Sequence, residues 1–248
     1  MGARISYNLS GFLKMRMSRD YNPGQYAYLL KRWINLCRRC GVRGDNLYYS
    51  QLFYRLAHYY QAPGRYYHVL DHIYDFLKKF DDVKHLIENP DEFEFAIWFH
   101  DAIYEFWTRP NENEQYSMEL GRFFVIQLMG LSEVLANQVS GFIYYTKHFQ
   151  KGVHDEVFGD HRYMTDIDLY CGLGRSKEVF ERNIELTARE HEWAEAIDPA
   201  GFRQRRLEVF KMFAGYSPFY LTEYFQTHHE AQVQENLAAA IRELEAAV

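Results

Sequence analysis

The stretch AIWFHDAIYE, residues 96–105, sets a histidine and an aspartate side by side in a run that is otherwise almost wholly apolar. Burying a carboxylate is costly unless a partner compensates for its charge. If the run is helical, none of the residues three or four positions from Asp101 is a cation. The partner of Asp101 must therefore come from another segment of the chain or be a bound ion.

Apolar residues recur at helical spacing along nearly the whole chain, with no run of alternating β-branched residues and no linker rich in glycine and serine. We therefore predict one all-α domain over residues 21–248, a helical bundle with additional C-terminal helices, after an N-terminal extension over residues 1–20. The predicted helices cover about 23–41, 45–63, 66–80, 90–106, 111–130 and 131–149, then, after a loop over 150–165, a short helix over 166–173 and two or three more.

The composition argues against several classes of protein. The formal charge of −6 and the lack of a basic stripe argue against nucleic acid as the main partner. No apolar run approaches the ~20 residues that a transmembrane helix needs, and the N-terminus lacks the apolar centre of a signal peptide. Three cysteines cannot form a disulfide framework. We therefore expect a cytoplasmic protein in a reducing environment.

Two histidines upstream of this stretch are the first candidates for metal ligands. His68 and His72 lie four residues apart, so on a helix they share a face. Taken alone, the pair is more typical of a structural role, because His68 could pair with Asp71 and His72 with Asp75. Ligation by His72 therefore depends on what other segments contribute.

Two further segments carry the rest of a candidate ligand set. Neighbouring helical side chains diverge by roughly 100°, so both His100 and Asp101 can reach an ion that lies between them. Asp166 and Asp168, in TDIDLYCGLG, are candidates for a later ligand, and we expect one of the two to cap a helix. A shell of imidazoles and carboxylates suits Mn, Fe, Co, Ni or Zn better than Ca, and Mg is possible with added water.

The order of these residues resembles the pattern of the HD superfamily of metal-dependent phosphohydrolases, a His, then His-Asp, then Asp. The likeness is closer to one branch, the bacterial predicted HD phosphohydrolases of about this length, and covers about residues 20–245. The stretches that carry it are RYYHVLDHI, AIWFHDAIY, NEQYS, IYYTKH, DIDLYCGLG, RNIELTAREHEWA, FRQRRLEVF and ENLAAAIREL. The resemblance implies one divalent metal ion held by His72, His100, Asp101 and Asp168.

The resemblance also implies a reaction, in which a metal-activated water cleaves a phosphoester of a small metabolite or nucleotide. Asp101 would then be a catalytic residue as well as a ligand. Arg65 could form a bidentate fork to the phosphate, and the alternative for it is a surface position beside a Pro-Gly turn.

Other polar residues in the matching stretches suggest further roles. His148 could contact the phosphate or protonate the leaving oxygen, and its neighbour Lys147 is expected at the surface. Glu114 could orient the water or a ligand. Tyr104 stands where other HD enzymes have an acid, with Glu105 one residue further on. The identity of the general acid is therefore left open.

The sequence leaves two other functions open. Some HD proteins hold two metal ions with the help of extra histidines, and His148, His154 and His161 lie in the corresponding interval. Such a site would allow phosphodiester cleavage or, with two irons, an oxygenase reaction. The other possibility is a non-catalytic module that binds a metal or nucleotide and acts through a partner, although the presence of all four presumed ligands argues against a decayed site.

Overall fold

The computed structural model describes residues 22–105, 112–148 and 156–246, and in these ranges the chain forms helices and no strand. The predicted all-α class is confirmed. The predicted N-terminal extension lies outside the described residues. The α-helices are α1 Pro23–Arg39, α2 Asn46–Tyr59, α3 Leu70–Val83, α4 Pro90–Phe99, α5 Glu112–Arg122, α6 Glu133–Tyr144, α7 His161–Leu173, α8 Lys177–Glu190, α9 Glu192–Ile197, α10 Pro199–Ala214 and α11 Glu223–Ala246.

The first two helices begin where the sequence provides capping residues. Asn22 accepts a hydrogen bond from the amide of Gly24 (2.9 Å), and Pro23 occupies the first position of α1. Asp45 accepts one from the amide of Tyr48 (2.9 Å) at the start of α2. These side chains satisfy amides that the first turn of a helix leaves unpaired, and the predicted starts of both helices are confirmed.

Helix α4 is the element around which the neighbouring helices pack. All its residues from Phe93 to Phe99 are buried, and it contacts α1, α3, α5 and α6. A helix that is apolar on every side has to be enclosed by others. Its buried carboxylate, Glu94, is paired with Arg32 (3.0 Å) and Arg39 (2.7 Å) of α1. These ion pairs and the surrounding helices hold α4 in place, and with it the position at which His100 and Asp101 follow the helix.

Helix α3 begins at Leu70, later than predicted. The backbone amides of residues 66, 67 and 68 all donate to Oε1 of Glu190, at 2.7, 2.8 and 2.9 Å. Because one carboxylate oxygen takes three successive amides, this segment curves around Glu190 instead of continuing the helix. The partner belongs to α8, so the local periodicity of the sequence gives no sign of it.

Helix α4 ends at Phe99, earlier than the predicted end near residue 106. The guanidinium of Arg65 donates to the carbonyl oxygens of Tyr59 (2.9 Å) and Ala102 (3.1 Å), and to that of Asp101. The carbonyls just after α4 are thus bonded to a side chain and not to a further helical turn. This contact fixes the backbone that carries the His-Asp pair.

Helix α7 begins at His161, so the predicted loop ends earlier than expected. Asp166 and Asp168 both lie inside this helix, and the prediction that one of them is an N-cap is wrong. Asp166 instead accepts hydrogen bonds from the amides of Leu221 and Thr222 (2.8 Å each) and from the Thr222 hydroxyl (2.7 Å). It therefore anchors the segment between α10 and α11 to α7.

The additional C-terminal helices pack over α7. Helix α7 contacts α3, α8 and α11, and α10 packs against α11. The chain breaks between helices before Pro199 and after Ala214. Within the described ranges, no helix combines the length and apolar character needed to cross a bilayer.

Candidate metal centre

The structure brings together the four side chains that the sequence singled out as metal ligands. His72 lies in the first turn of α3, His100 and Asp101 follow the last turn of α4, and Asp168 lies inside α7. Each offers one ligand atom, and the four atoms all lie within 4.8 Å of one another. Because α3 packs against both α4 and α7, three separate segments converge on one point.

The spacing of the donor atoms is that of a coordination shell. Nε2 of His72 lies 3.1 Å from Nε2 of His100. Oδ2 of Asp101 lies 3.4 and 3.0 Å from these two nitrogens, and Oδ1 of Asp168 lies 3.4 and 3.8 Å from them. Ligand atoms at ~2.1 Å from one ion are about 3.0 to 3.4 Å apart, depending on the angle between them. The residues therefore fit a single cation, with Asp168 slightly withdrawn.

The tautomer of His100 is suited to ligation. Its Nδ1 lies 2.9 Å from the carbonyl oxygen of Ile97, which can only accept, so Nδ1 carries the proton. Nε2 of the neutral ring then presents its lone pair to the centre. A hydrogen bond of this kind to the outer ring nitrogen is the usual way in which proteins orient a histidine ligand.

The four side chains create a centre that favours positive charge. Burial lowers the pKa of His72, but hydrogen bonds with Asp101 and Asp168 outweigh it and raise the pKa to about 10. The pKa of His100 is also raised, against burial, by the charge of Asp101. Burial favours the neutral form of both carboxyls, yet the imidazoles lower their pKa values. The centre therefore attracts protons or a cation.

The centre opens on the side of its carboxylates. The side chains of Asp101 and Asp168 are each 15% exposed, while those of His72 and His100 are 1% and 0% exposed. In the described part of the chain, the two aspartates are therefore the members of the donor group (His72, His100, Asp101 and Asp168) that reach the solvent. His68 and His148 lie next to these two aspartates, and we call the exposed side of the centre that these four residues form its mouth.

His68 forms a pair that sequence reasoning missed. Its Nδ1 lies 2.6 Å from Oε2 of Glu190, and its Nε2 lies 4.0 Å from Oδ2 of Asp101. The ring also stacks on Tyr104, with centroids 3.8 Å apart. The proposed pairing with Asp71 was based on helical spacing, and the segment is not helical. In the sequence, Glu190 lies in RNIELTAREHEWA, about 120 residues after His68, and no local pattern marks it as the partner.

His148 and Glu114 are further polar residues near the centre. Nε2 of His148 is 2.9 Å from Oδ2 of Asp168, so it holds the carboxylate oxygen that faces away from His72. Oε2 of Glu114 is buried and has no hydrogen-bond partner among the described residues. The pKa of Glu114 is raised, mainly by burial and also by the charge of Asp101, although the charges of His148 and Lys147 act in the opposite direction. Lys147 is itself only 8% exposed, so its expected place at the surface is wrong. The predicted roles of His148 and Glu114 toward a substrate stay predictions.

Arg65 is buried beside the centre and is bonded to the backbone of Asp101. It is 2% exposed, so the alternative of a surface arginine is wrong. The NH1 and NH2 groups of its guanidinium are bonded to three backbone carbonyls, including that of Asp101. Those contacts support the Asp101 peptide, while the buried Nε of Arg65 has no hydrogen-bond partner among the described residues. The predicted contact of Arg65 with phosphate stays a prediction.

Of the histidines considered for a second metal ion, His148 lies at the donor group and His161 does not. His161 lies in an aromatic cluster with Phe142, Tyr145 and Phe158, and its Nδ1 is 3.1 Å from the Phe158 carbonyl oxygen. His154 lies outside the described residues. The possibility of a second ion therefore depends on His148, which touches Asp168.

Comparisons with known proteins add no assignment. No family model, no curated protein and no solved structure matches the chain. The functional reading therefore depends on the geometry of the donor group and on the residues around its mouth.

Proposed function

We propose that the protein is a metal-dependent phosphohydrolase of the HD type that cleaves a phosphoester of a small metabolite or nucleotide. The observation that carries this proposal is the convergence of two imidazoles and two carboxylates beside an opening lined by polar side chains. When bound there, a divalent cation would supply a water of lowered pKa and polarise a phosphoryl oxygen. His72, His100, Asp101 and Asp168 would hold it.

The surrounding side chains orient two of these ligands. Arg65 fixes the peptide of Asp101, and His148 fixes the outer oxygen of Asp168. Ligand orientation by neighbours of this kind is commonly needed for metal affinity and activity. A mononuclear centre is the simplest reading of the donor group, because its four donors share one point.

His68 is the best placed proton donor for the leaving group. Glu190 accepts a hydrogen bond from Nδ1–H, which leaves Nε2 beside Asp101, and the doubly protonated ring carries a second proton on Nε2. As the bond between phosphorus and the ester oxygen breaks, that oxygen takes a proton from Nε2. Water supplies the hydroxyl that phosphorus gains, and the proton that water loses replaces the one given by His68. The pair fills the role of general acid that the sequence left open.

A substrate panel tests the proposal. The purified full chain is assayed against phosphomonoesters and nucleotides with added Mn²⁺, Co²⁺, Ni²⁺ and Mg²⁺, together with Asp168→Asn and Asp75→Asn. Asp75 is the matched control, because it is paired with Arg175 (3.1 Å) and does not belong to the donor group. We expect phosphate release that needs a metal, is lost in Asp168→Asn and persists in Asp75→Asn. Metal binding without turnover of any compound would favour a binding module instead.

A further inference from the structure

The ring of Tyr104 lies flat against the ring of His68 at the mouth of the centre. The two ring centroids are 3.8 Å apart and the ring planes differ by 21°. Glu190 holds the same imidazole through Nδ1, at 2.6 Å. A hydrogen bond to one ring atom still allows the imidazole to swing, because the outer torsion of a histidine side chain is broadly distributed. Contact over a face fixes the plane of the ring, so the stack supplies an orientation that Glu190 alone does not.

Tyr104 is itself held in place, because the residues on both sides of it are bonded to α5. The Ser117 hydroxyl accepts a hydrogen bond from the amide of Ile103 at 3.1 Å and donates one to its carbonyl oxygen at 3.2 Å. The side-chain amide of Asn113 accepts from the backbone amide of Glu105 at 2.9 Å and donates to its carbonyl oxygen at 3.2 Å. Two side chains of one helix thus fix the backbone around a single tyrosine.

The guanidinium of Arg65 gives Tyr104 a third support. Its central carbon lies 5.7 Å from the centroid of the Tyr104 ring, a distance at which a cation is attracted to an aromatic face. The same guanidinium is bonded to the carbonyl oxygens of Asp101 and Ala102. The chain from the metal ligand Asp101 to Tyr104 is therefore bonded at each step, and the tyrosine ring has a defined place relative to the donor group.

The stack determines where Nε2 of His68 points. This nitrogen lies 4.0 Å from Oδ2 of Asp101, and the side chain of His68 is 15% exposed, so the protein interior does not enclose it completely. A proton donor has to lie about 2.6 to 3.2 Å from its acceptor. A displacement of about 1 Å is enough to separate a productive arrangement from an unproductive one. The plane of the imidazole therefore has to be held by a neighbour.

We propose that Tyr104 is a positioning residue for proton transfer, which holds the imidazole of His68 so that Nε2 faces the leaving oxygen. In that step the bond between phosphorus and the ester oxygen breaks, its electron pair stays on the oxygen, and the oxygen takes the proton of Nε2. Tyr104 gives up and receives no proton, and it acts through the face of its ring. This inference rests on the proposed function, and its test separates the two.

Replacement of the ring tests this role in the full chain loaded with Mn²⁺. Tyr104→Leu should lower kcat by about tenfold or more, because the donor is no longer oriented. KM should stay within about threefold and the metal content unchanged. Tyr104→Phe keeps the ring and should stay within about twofold of the wild-type kcat. Tyr104→Met takes the place of Tyr104→Leu if the latter does not fold. An unchanged kcat in Tyr104→Leu, or an equal loss in Tyr104→Phe, overturns the proposal.

A double substitution shows whether Tyr104 acts through His68. In a His68→Gln background, Tyr104→Leu should change kcat by less than about twofold, because the group that the ring orients is already absent. The same loss of kcat in both backgrounds overturns the proposal. Tyr224→Leu is the matched control, because Tyr224 also stacks on a histidine, His228 at 4.6 Å, but belongs to α11 and not to the mouth. Its kcat should stay within about twofold of the wild type.

Nuclear magnetic resonance detects the stack without any turnover. Protons that lie over the face of an aromatic ring are shifted upfield by its ring current. In the chain loaded with Mg²⁺, the carbon-bound ring protons of His68 are assigned from the signals that His68→Gln lacks. These signals should lie further upfield in the wild type and Tyr104→Phe than in Tyr104→Leu. Identical signal positions in all three proteins overturn the proposal.

The two proposals can fail separately. A ring-current shift in a protein that hydrolyses no compound of the panel upholds the positioning of His68 by Tyr104 and overturns the hydrolase. Hydrolysis with a kcat that ignores Tyr104 does the reverse.

Discussion

Glu190 controls His68 through both oxygens of one carboxylate. Oε2 lies 2.6 Å from Nδ1 of the His68 ring, and Oε1 accepts the backbone amide of His68 together with those of the two residues before it. The side chain of Glu190 is fully buried, so water does not screen these contacts. A residue of α8 thus determines both the path of the chain before α3 and the orientation of a histidine at the mouth.

The buried Glu190 carboxylate should make stability depend on pH in the acid range. Burial opposes its charge, but His68 and the backbone amides lower its pKa to about 2, from 4.5. Because the folded pKa lies below the unfolded one, the stabilisation is complete above about pH 4.5 and is lost as the pH falls toward 2. As the pH is lowered, we expect the free energy of unfolding to fall more steeply for the wild type than for Glu190→Gln. The difference in slope should reach up to about 1.4 kcal/mol per pH unit. Urea unfolding of both proteins between pH 6 and pH 3 measures this difference. Parallel pH curves for the two would contradict it.

Replacement of His68 should reduce turnover without removing the metal. His68→Gln loses the proton donor, and we expect kcat to fall by about 100-fold or more while the metal content is unchanged. His58→Gln is the control, because His58 is an exposed histidine of α2. A His68→Gln protein that keeps full kcat would exclude this residue as the general acid. Loss of the metal along with activity would instead make His68 a ligand.

The sequence predicted the four residues of the donor group but not the residues that hold the neighbouring segments in place. His72, His100, Asp101 and Asp168 could be named because residue type and order along the chain carry that information. Glu190 could not, because its contacts join α8 to residues about 120 positions earlier, and no local pattern reports such a contact.

Local spacing was also misleading where tertiary contacts override it. His68 and Asp71 have the spacing of a helical pair, but Glu190 takes the amides that a helix would need. Arg65 follows a Pro-Gly turn, which usually indicates a surface, and is nevertheless buried against the carbonyls after α4. In both cases one buried side chain decides where a helix starts or ends.

Arg65 should prove to be a structural residue. Arg65→Met leaves the carbonyls of Tyr59, Asp101 and Ala102 without their donor, and we expect the free energy of unfolding to fall by roughly 3 kcal/mol. Arg65→Lys should lose part of the same free energy of unfolding, because an ammonium group cannot bond all three carbonyl oxygens at once. Chemical denaturation and metal content report the effect. Unchanged stability with a raised KM for the substrate would restore the phosphate role predicted from the sequence.

Substitutions of Asp166 and Asp168 should have different effects, although the two residues are only two positions apart in α7. Asp166→Asn weakens the bonds to Leu221 and Thr222, and should lower stability by about 1 to 3 kcal/mol while metal affinity stays within about twofold. Asp168→Asn should abolish metal binding in a protein that still folds. Calorimetric titration with Mn²⁺ and urea unfolding compare the two. Loss of metal binding in Asp166→Asn with an intact fold would show that the wrong aspartate was assigned.

The metal content of the purified chain tests the central claim most directly. Elemental analysis is applied to the wild type, Asp101→Ala and the control Asp75→Asn after reconstitution with Mn²⁺ and removal of free ion. We predict about one equivalent per chain in the wild type and the control, and less than about a tenth of an equivalent in Asp101→Ala, because one of four converging ligands is lost. A full equivalent in folded Asp101→Ala, or none in the wild type, would contradict the account.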